Sequence, residues 1–182
     1  MKRYTSDWFT AHIPVWQSVV VPRLPAGKRR WLELGSHEGR SAEWTLANAL
    51  RDGDELVCVD TWSDQRFEKT FDANVGSRAR KIKSSTEEAL IGMVNAGERF
   101  DVIYVDADHD GAAVLSDCVL SWMLLPVGGT MILDDVLYRH PSQPWALGRI
   151  DPQCGVDAFL SAYRLRTRLL HYAWQAIVEK VR

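Results

Sequence analysis

Five short strand-like runs, each closed by turn residues and followed by a segment of helical periodicity, set the strongest limit on what this chain can fold into. Arg30–Leu34, Glu55–Asp60, Ala79–Lys83, Phe100–Val105 and Thr130–Leu133 read as strands. Helical spacing is predicted over Ser41–Leu50, Asp64–Asn74, Ser85–Asn95 and Ala112–Leu125. Strands and helices in strict alternation specify βαβ units and a parallel sheet, because parallel neighbours need a crossover long enough to hold a helix. After a further helix over Val156–Tyr163, the runs Arg166–His171 and Gln175–Val181 alternate around a tight turn. They predict a hairpin that closes the sheet and makes it mixed.

The ends of the chain add two features. Ser6–Val21 reads as a helical lead-in stopped by Pro22 and Pro25, so residues 1–25 are expected to form a cap. Residues 136–155 carry Pro141, Pro144 and Pro152 and read as a long loop, of the kind that usually serves function. The length of 182 residues fits a single domain. A formal net charge of −2 argues against a nucleic-acid footprint, which needs a basic surplus. Cys58, Cys118 and Cys154 show no CxxC or Cys/His spacing, so reduced thiols in a cytoplasmic protein are expected. Neither a signal-peptide pattern nor a membrane-spanning run is read in the sequence.

Acidic residues stand where the strands end. Leu32-Glu33-Leu34-Gly35 runs into Ser36-His37-Glu38-Gly39-Arg40-Ser41, a strand, a turn with glycine at both ends and a helix start. Such a turn lets backbone approach a ligand and presents free N–H groups to it. The spacing is GxxxG rather than GxGxxG. Asp60 ends the second strand, where a carboxylate can accept both hydroxyls of a ribose. Asp106, in Val105-Asp106-Ala107-Asp108-His109-Asp110, follows the fourth strand, and Asp134-Asp135 follows the fifth. In an open parallel sheet ligands bind beyond the carboxyl ends of the strands. Four acidic strand ends on one edge therefore mark a binding rim.

These stretches, in this order, resemble the class I S-adenosylmethionine-dependent methyltransferases, and most of all the small metal-dependent O-methyltransferases of catechols, caffeoyl-coenzyme A and macrolide sugars. The resemblance implies a Rossmann-like seven-stranded sheet in the order 3-2-1-4-5-7-6, with an antiparallel last strand and helices on both faces. It implies that Glu33, Gly35, Ser36, Gly39 and Ser41 cradle the methionine part of S-adenosylmethionine. Asp60 would hold the ribose, with Thr61 and Trp62 beside the adenosine and Ser85 and Thr86 at the adenine. Asp106, Asp134 and Asp135 would hold Mg²⁺, a hard cation that prefers oxygen ligands. Where the relatives carry a general-base lysine in a D-x-D-K motif this chain has His109, an imidazole able to accept a proton near neutral pH.

The expected reaction is methyl transfer to a hydroxyl of a small molecule, with Asp106 and His109 at the reacting centre and a homodimer as a further expectation. Trp8, Phe9 and Trp16 would form one wall of the acceptor pocket, and Tyr138, His140 and Trp145 another. The rival readings are a nicotinamide-dependent oxidoreductase, a binding module without catalysis, and a hydroxylating relative on the same fold.

Overall fold

The computed structural model describes residues 3–139 and 150–182. The cap is a run of mixed helical turns: a 3-10 turn at Thr10–His12, the α-turn α1 (Ile13–Val15), a π-turn at Trp16–Val20 and a 3-10 turn at Val21–Arg23. Proline at positions 14 and 22 enters this run, the segment expected as a helical lead-in. A proline lacks the N–H that extends a regular helix, so the segment changes pitch.

The strands follow the sequence reading closely. β1 (Arg30–Leu34), α2 (Arg40–Asn48), β2 (Glu55–Asp60), α3 (Gln65–Asn74), β3 (Arg80–Lys83), α4 (Thr86–Asn95), β4 (Val102–Val105), α5 (Gly111–Leu124) and β5 (Thr130–Leu133) alternate along the chain. They are completed by α6 (Pro152–Tyr163) and the hairpin β6 (Thr167–Tyr172) and β7 (Ala176–Lys180). The sheet order is β3-β2-β1-β4-β5-β7-β6. β1 to β5 pair in parallel, and β7 lies antiparallel between β5 and β6.

Side chains leave alternate faces of each strand, so a sheet covered on both sides needs two cores. One contains Leu32, Leu34, Val57, Val59, Ile103 and Val105 with Leu90 of α4, Val114, Cys118 and Trp122 of α5 and Phe159 of α6. The other contains Trp31, Leu56, Cys58, Val102 and Tyr104 with Phe9, Trp16 and Val20 of the cap, Trp44 of α2 and Phe71 of α3. The cap is thus one wall of a core rather than an appendage.

Helix starts are set by short polar side chains. Asp64, Ser85 and Asp110 each accept the amide of a residue in the first turn of the helix they precede. α6 begins four residues before the predicted start, at Pro152. Proline is well suited to the first helical position, where its missing N–H would have no partner anyway. The expected loop 136–155 therefore ends at Asp151, and His140, Pro141, Pro144 and Trp145 lie outside the described residues.

Candidate active site

The chain reverses direction across the sheet between β1 and β4, whose connections leave to opposite sides. Such a switch point opens a crevice at the carboxyl ends of the strands. A cavity of about 900 Å³ occupies it, reached by Gly35 and Ser36 after β1, Asp60 of β2, Asp106 and Ala107 after β4, and Asp134 and Asp135 after β5. That volume is sufficient for a small-molecule ligand.

The glycine turn is dictated by packing as much as by any ligand. Gly35 has φ +85°, and a Cβ there would stand 1.8 Å from the backbone oxygen of Asp106. Gly39, which precedes α2, has φ +78° and would meet Val75 Cγ2 at 2.5 Å. Only glycine combines that backbone with so close an approach. Between them His37 holds φ +43°, a conformation rare for a residue with a side chain. Its amide donates to Asp60 Oδ2 at 2.8 Å, and its carbonyl accepts the Trp62 indole N–H at 2.8 Å.

Two carboxylates face this turn in different states. Asp60 accepts the amides of His37 and Trp62 (2.7 Å), which fixes the carboxylate at the cavity edge. Glu33 is fully buried, and neither of its oxygens has a partner in full hydrogen-bond geometry. The Ser36 and Ser41 hydroxyls lie near enough to pull its pKa down, but burial outweighs them and pushes it up to about 8. A buried carboxyl group without a partner is costly unless a ligand completes it. The α-ammonium group of an amino acid has the charge and the donors to do so.

On the other side of the cavity, Asp106, His109 and Asp135 bring ligand-type atoms within 4.8 Å of one another. His109 Nε2 lies 2.5 Å from Asp135 Oδ2, and the imidazole stacks on Tyr138 with ring centroids 4.6 Å apart. The hydrogen bond to Asp135 raises the His109 pKa above its usual value, against the opposing effect of burial. Asp135 itself holds φ +58°. Such a backbone at a cavity-lining side chain is one of the strained conformations that cluster at functional sites.

Asp134, expected as a ligand, lines the same cavity and accepts several protein donors. Its Oδ2 accepts the Tyr104 hydroxyl and, at 2.8 Å, the Gln175 amide. Its Oδ1 accepts the Asp135 amide at 2.7 Å. The Tyr104 hydroxyl also contacts Asp106 Oδ2 at 2.8 Å. Burial, and then the proximity of the two carboxyl groups, raises the pKa of Asp106; burial foremost also raises that of Asp134. Tyr104 and Gln175 were not singled out in the sequence, because nothing local marks a strand tyrosine or a turn glutamine as a partner of a distant acid.

The remaining predicted site residues divide. Ser41 lines the cavity. Thr61, Ser85 and Thr86 stand on the same rim beyond Asp60 but outside the cavity lining, and Ser85 is occupied as the α4 cap. Trp62 is buried against Phe71, outside the cavity lining, with Lys81 Nζ 4.9 Å from its ring centroid, and it supports the turn from below. Trp8 and Phe9 line the cavity, while Trp16 lies behind it in the core. The strap carrying them is tied down by the Thr5 amide on Glu38 Oε2 (2.6 Å) and by Arg40 bonding both Asp7 and Thr10.

Comparison with known proteins bears on the fold and the family. No curated protein sequence matches the chain. Among solved structures, an O-methyltransferase from Bacillus cereus in complex with SAH superposes with TM-score 0.73 at 19% identity, covering 98% of this chain and 84% of that one. A Corynebacterium glutamicum protein gives TM-score 0.70 at 17% identity, covering 97% and 83%. MycE methyltransferase from the mycinamycin biosynthetic pathway, in complex with Mg, SAH and mycinamycin VI, gives 0.69 at 18% identity. That match covers 97% of this chain, which spans only 50% of MycE. These likenesses establish the fold. A family model described as a methyltransferase domain matches residues 32–136, the span from β1 to the residue after the Asp134-Asp135 pair. With that match over more than half its length, the chain belongs to the methyltransferase-domain family of class I S-adenosylmethionine-dependent enzymes.

Proposed function

We propose that the protein transfers the methyl group of S-adenosylmethionine to a hydroxyl oxygen of a small molecule, assisted by a divalent cation. The observation that carries this reading is one cavity with two chemically distinct ends. Gly35, Ser36, Ser41 and Asp60 form one end, and Asp106, His109 and Asp135 the other.

At the first end, Glu33 faces the α-ammonium group and the Gly35–Gly39 turn the methionine backbone. Asp60, already fixed by two amides, keeps acceptor capacity for the ribose hydroxyls. Thr61, Ser85 and Thr86 extend the rim toward the adenine. At the second end, Asp106 and Asp135 suit Mg²⁺, which is often held by one or two carboxylates and retains waters. When bound there, the cation lowers the pKa of an acceptor hydroxyl brought beside it. His109, oriented by Asp135, takes the hydroxyl proton. Holding the acceptor oxygen in line with the methyl group can supply about 7–11 kcal/mol of the barrier. Trp8, Tyr138 and Trp174 at the cavity mouth give the acceptor apolar surfaces to lie against. MycE, whose structure is a complex with Mg, SAH and mycinamycin VI, supports this reading by analogy of fold.

A second reading follows from the 4.8 Å grouping, which includes His109. An imidazole beside two carboxylates suits Mn²⁺ or Zn²⁺ better than Mg²⁺. His109 would then be a ligand, and the base would lie elsewhere.

Calorimetric titration with S-adenosylhomocysteine, followed by methyl transfer from labelled S-adenosylmethionine to phenols and sugar hydroxyls with and without EDTA, tests the proposal. Binding of S-adenosylhomocysteine but not NAD, and transfer that falls on chelation, is the expected outcome. NAD binding in its place would overturn it. His109→Gln separates the two roles: a base variant loses turnover and keeps cation affinity, whereas a ligand variant loses both.

A further inference from the structure

The turn between β6 and β7 lies far in sequence from every motif that marks the site, yet two consecutive residues of it hold the two consecutive acids after β5. Gln175 Nε2 donates to Asp134 Oδ2 at 2.8 Å, and Trp174 Nε1 donates to Asp135 Oδ1 at 3.2 Å. The backbone joins them too, with the Val136 amide on the Trp174 carbonyl at 2.9 Å. Gln175 is 1% exposed.

The direction of the Gln175 amide is fixed from behind. Trp16 in the cap is fully buried, and its Nε1 donates to Gln175 Oε1 at 2.9 Å. An indole nitrogen can only donate. The amide oxygen must therefore face Trp16, which leaves the amide nitrogen, a pure donor, to face Asp134. Asp134 is thereby held as an acceptor on Oδ2, and its Oδ1 is left for the Asp135 amide. That bond fixes the backbone at Asp135, the residue whose positive φ aims its carboxylate at His109.

We infer that Trp16 and Gln175 are positioning residues: a buried relay from the N-terminal cap, through Gln175 and Asp134, that sets the aim of the Asp135 carboxylate. Its consequence for the cation rests on the proposed function; the relay itself does not. Neither residue lines the cavity. They act through Asp134, whose Oδ2 accepts Gln175 and Tyr104 and whose Oδ1 accepts the Asp135 amide. Partners of this kind, behind the groups that contact a metal, typically contribute about 10–100-fold to affinity or activity.

The test uses the full chain with Gln175→Met, an apolar side chain of matched length, and Trp16→Phe. The first readout is hydrogen exchange of the Asp135 amide in metal-free protein. Gln175→Met should speed it by about tenfold, the equivalent of one lost hydrogen bond. The second is Mn²⁺ affinity, which should fall by about 10–100-fold in Gln175→Met and less in Trp16→Phe. Affinity for S-adenosylhomocysteine should stay within about twofold, since the relay does not reach the glycine turn. The double variant should be no worse than Gln175→Met alone, as expected for one chain of contacts. Unchanged exchange and unchanged Mn²⁺ affinity, or fully additive effects, would overturn the relay. If the wild-type protein binds no cation, the metal reading fails while the amide exchange still decides the relay. Should both variants unfold, strong cross-relaxation between the Trp16 indole proton and the Gln175 amide protons in the wild type would mean the amide faces the other way, and the inference falls.

Discussion

Glu33 shows at residue scale how a site can oppose the stability of its own fold. Its carboxyl group has an ordinary value of 4.5 and is raised to about 8 by burial in the folded chain. Between these values the unfolded chain has released the proton and the folded chain has not, so the unfolded state gains and stability falls as pH rises; above about 8 the loss is complete. Glu33→Gln removes this loss. Relative to wild type, it should become more stable as pH goes from 5 to 8.5, by a few kcal/mol at one pKa unit per about 1.4 kcal/mol. Chemical denaturation at the two pH values measures it. The same substitution should weaken S-adenosylhomocysteine, because the α-ammonium group loses its carboxylate. A Glu33→Gln protein that gains no stability at high pH, or binds the product equally well, would remove Glu33 from the site. Asp60→Ala makes the complementary case. It removes a charged acceptor whose bonds are worth about 1.5–3 kcal/mol each, so calorimetry should show S-adenosylhomocysteine binding weakened by at least about tenfold. The acids were legible in the sequence because strand ends can be counted. Their partners were not: Gln175 and Tyr104 meet Asp134 only through the folded sheet.

Element boundaries were legible wherever a local signal sets them. β1, β2 and β5 fall where the apolar runs begin and end, and the caps Asp64, Ser85 and Asp110 explain the one-residue shifts at α3, α4 and α5. Pro152 misled because a proline that breaks a helix interior is the same residue that opens one. The cap was half legible: its helical character was readable, but not that Trp16 packs edge-on to Tyr104 and Trp44, with ring centroids 4.9 and 5.6 Å away. A buried tryptophan of this kind makes the cap part of the fold. Trp16→Ala should destabilise by about 3–5 kcal/mol in denaturant titration. Deleting residues 1–20 should leave a chain that does not fold, while loss of residues 1–7 should spare the fold and weaken ligand binding by releasing the strap from Glu38 and Arg40. A stable, binding-competent protein without residues 1–20 would reduce the cap to surface cover.

At the scale of the whole molecule, the order β3-β2-β1-β4-β5-β7-β6 brings acids at the ends of β2, β4 and β5 to a single rim, with Glu33 of β1 buried behind the glycine turn. Glu33, Asp106 and Asp134 have raised pKa values, so the rim resists full ionisation until positive charge arrives. A sulfonium donor with an α-ammonium group brings that charge, and a divalent cation brings more. Binding should therefore stabilise the whole sheet through its centre rather than one loop. At a hundredfold excess over its dissociation constant, a ligand that binds only the folded state adds about 2.7 kcal/mol. For a chain of this size that corresponds to a rise of about 5–10 °C in Tm. S-adenosylmethionine should produce a shift in that range, and a larger one with Mg²⁺ or Mn²⁺ present, whereas NAD should produce none. Because the acids share one field, the two ligands should reinforce or oppose each other rather than act independently. Cation and sulfonium compete for the same negative rim, but each also releases protons the other would have to displace. If proton release dominates, the combined Tm shift exceeds the sum of the separate shifts at pH 6.5 and falls toward that sum at pH 8.5, where Glu33 has already lost its proton. A combined shift smaller than the sum at both pH values would mean that direct repulsion between the two cations governs the rim.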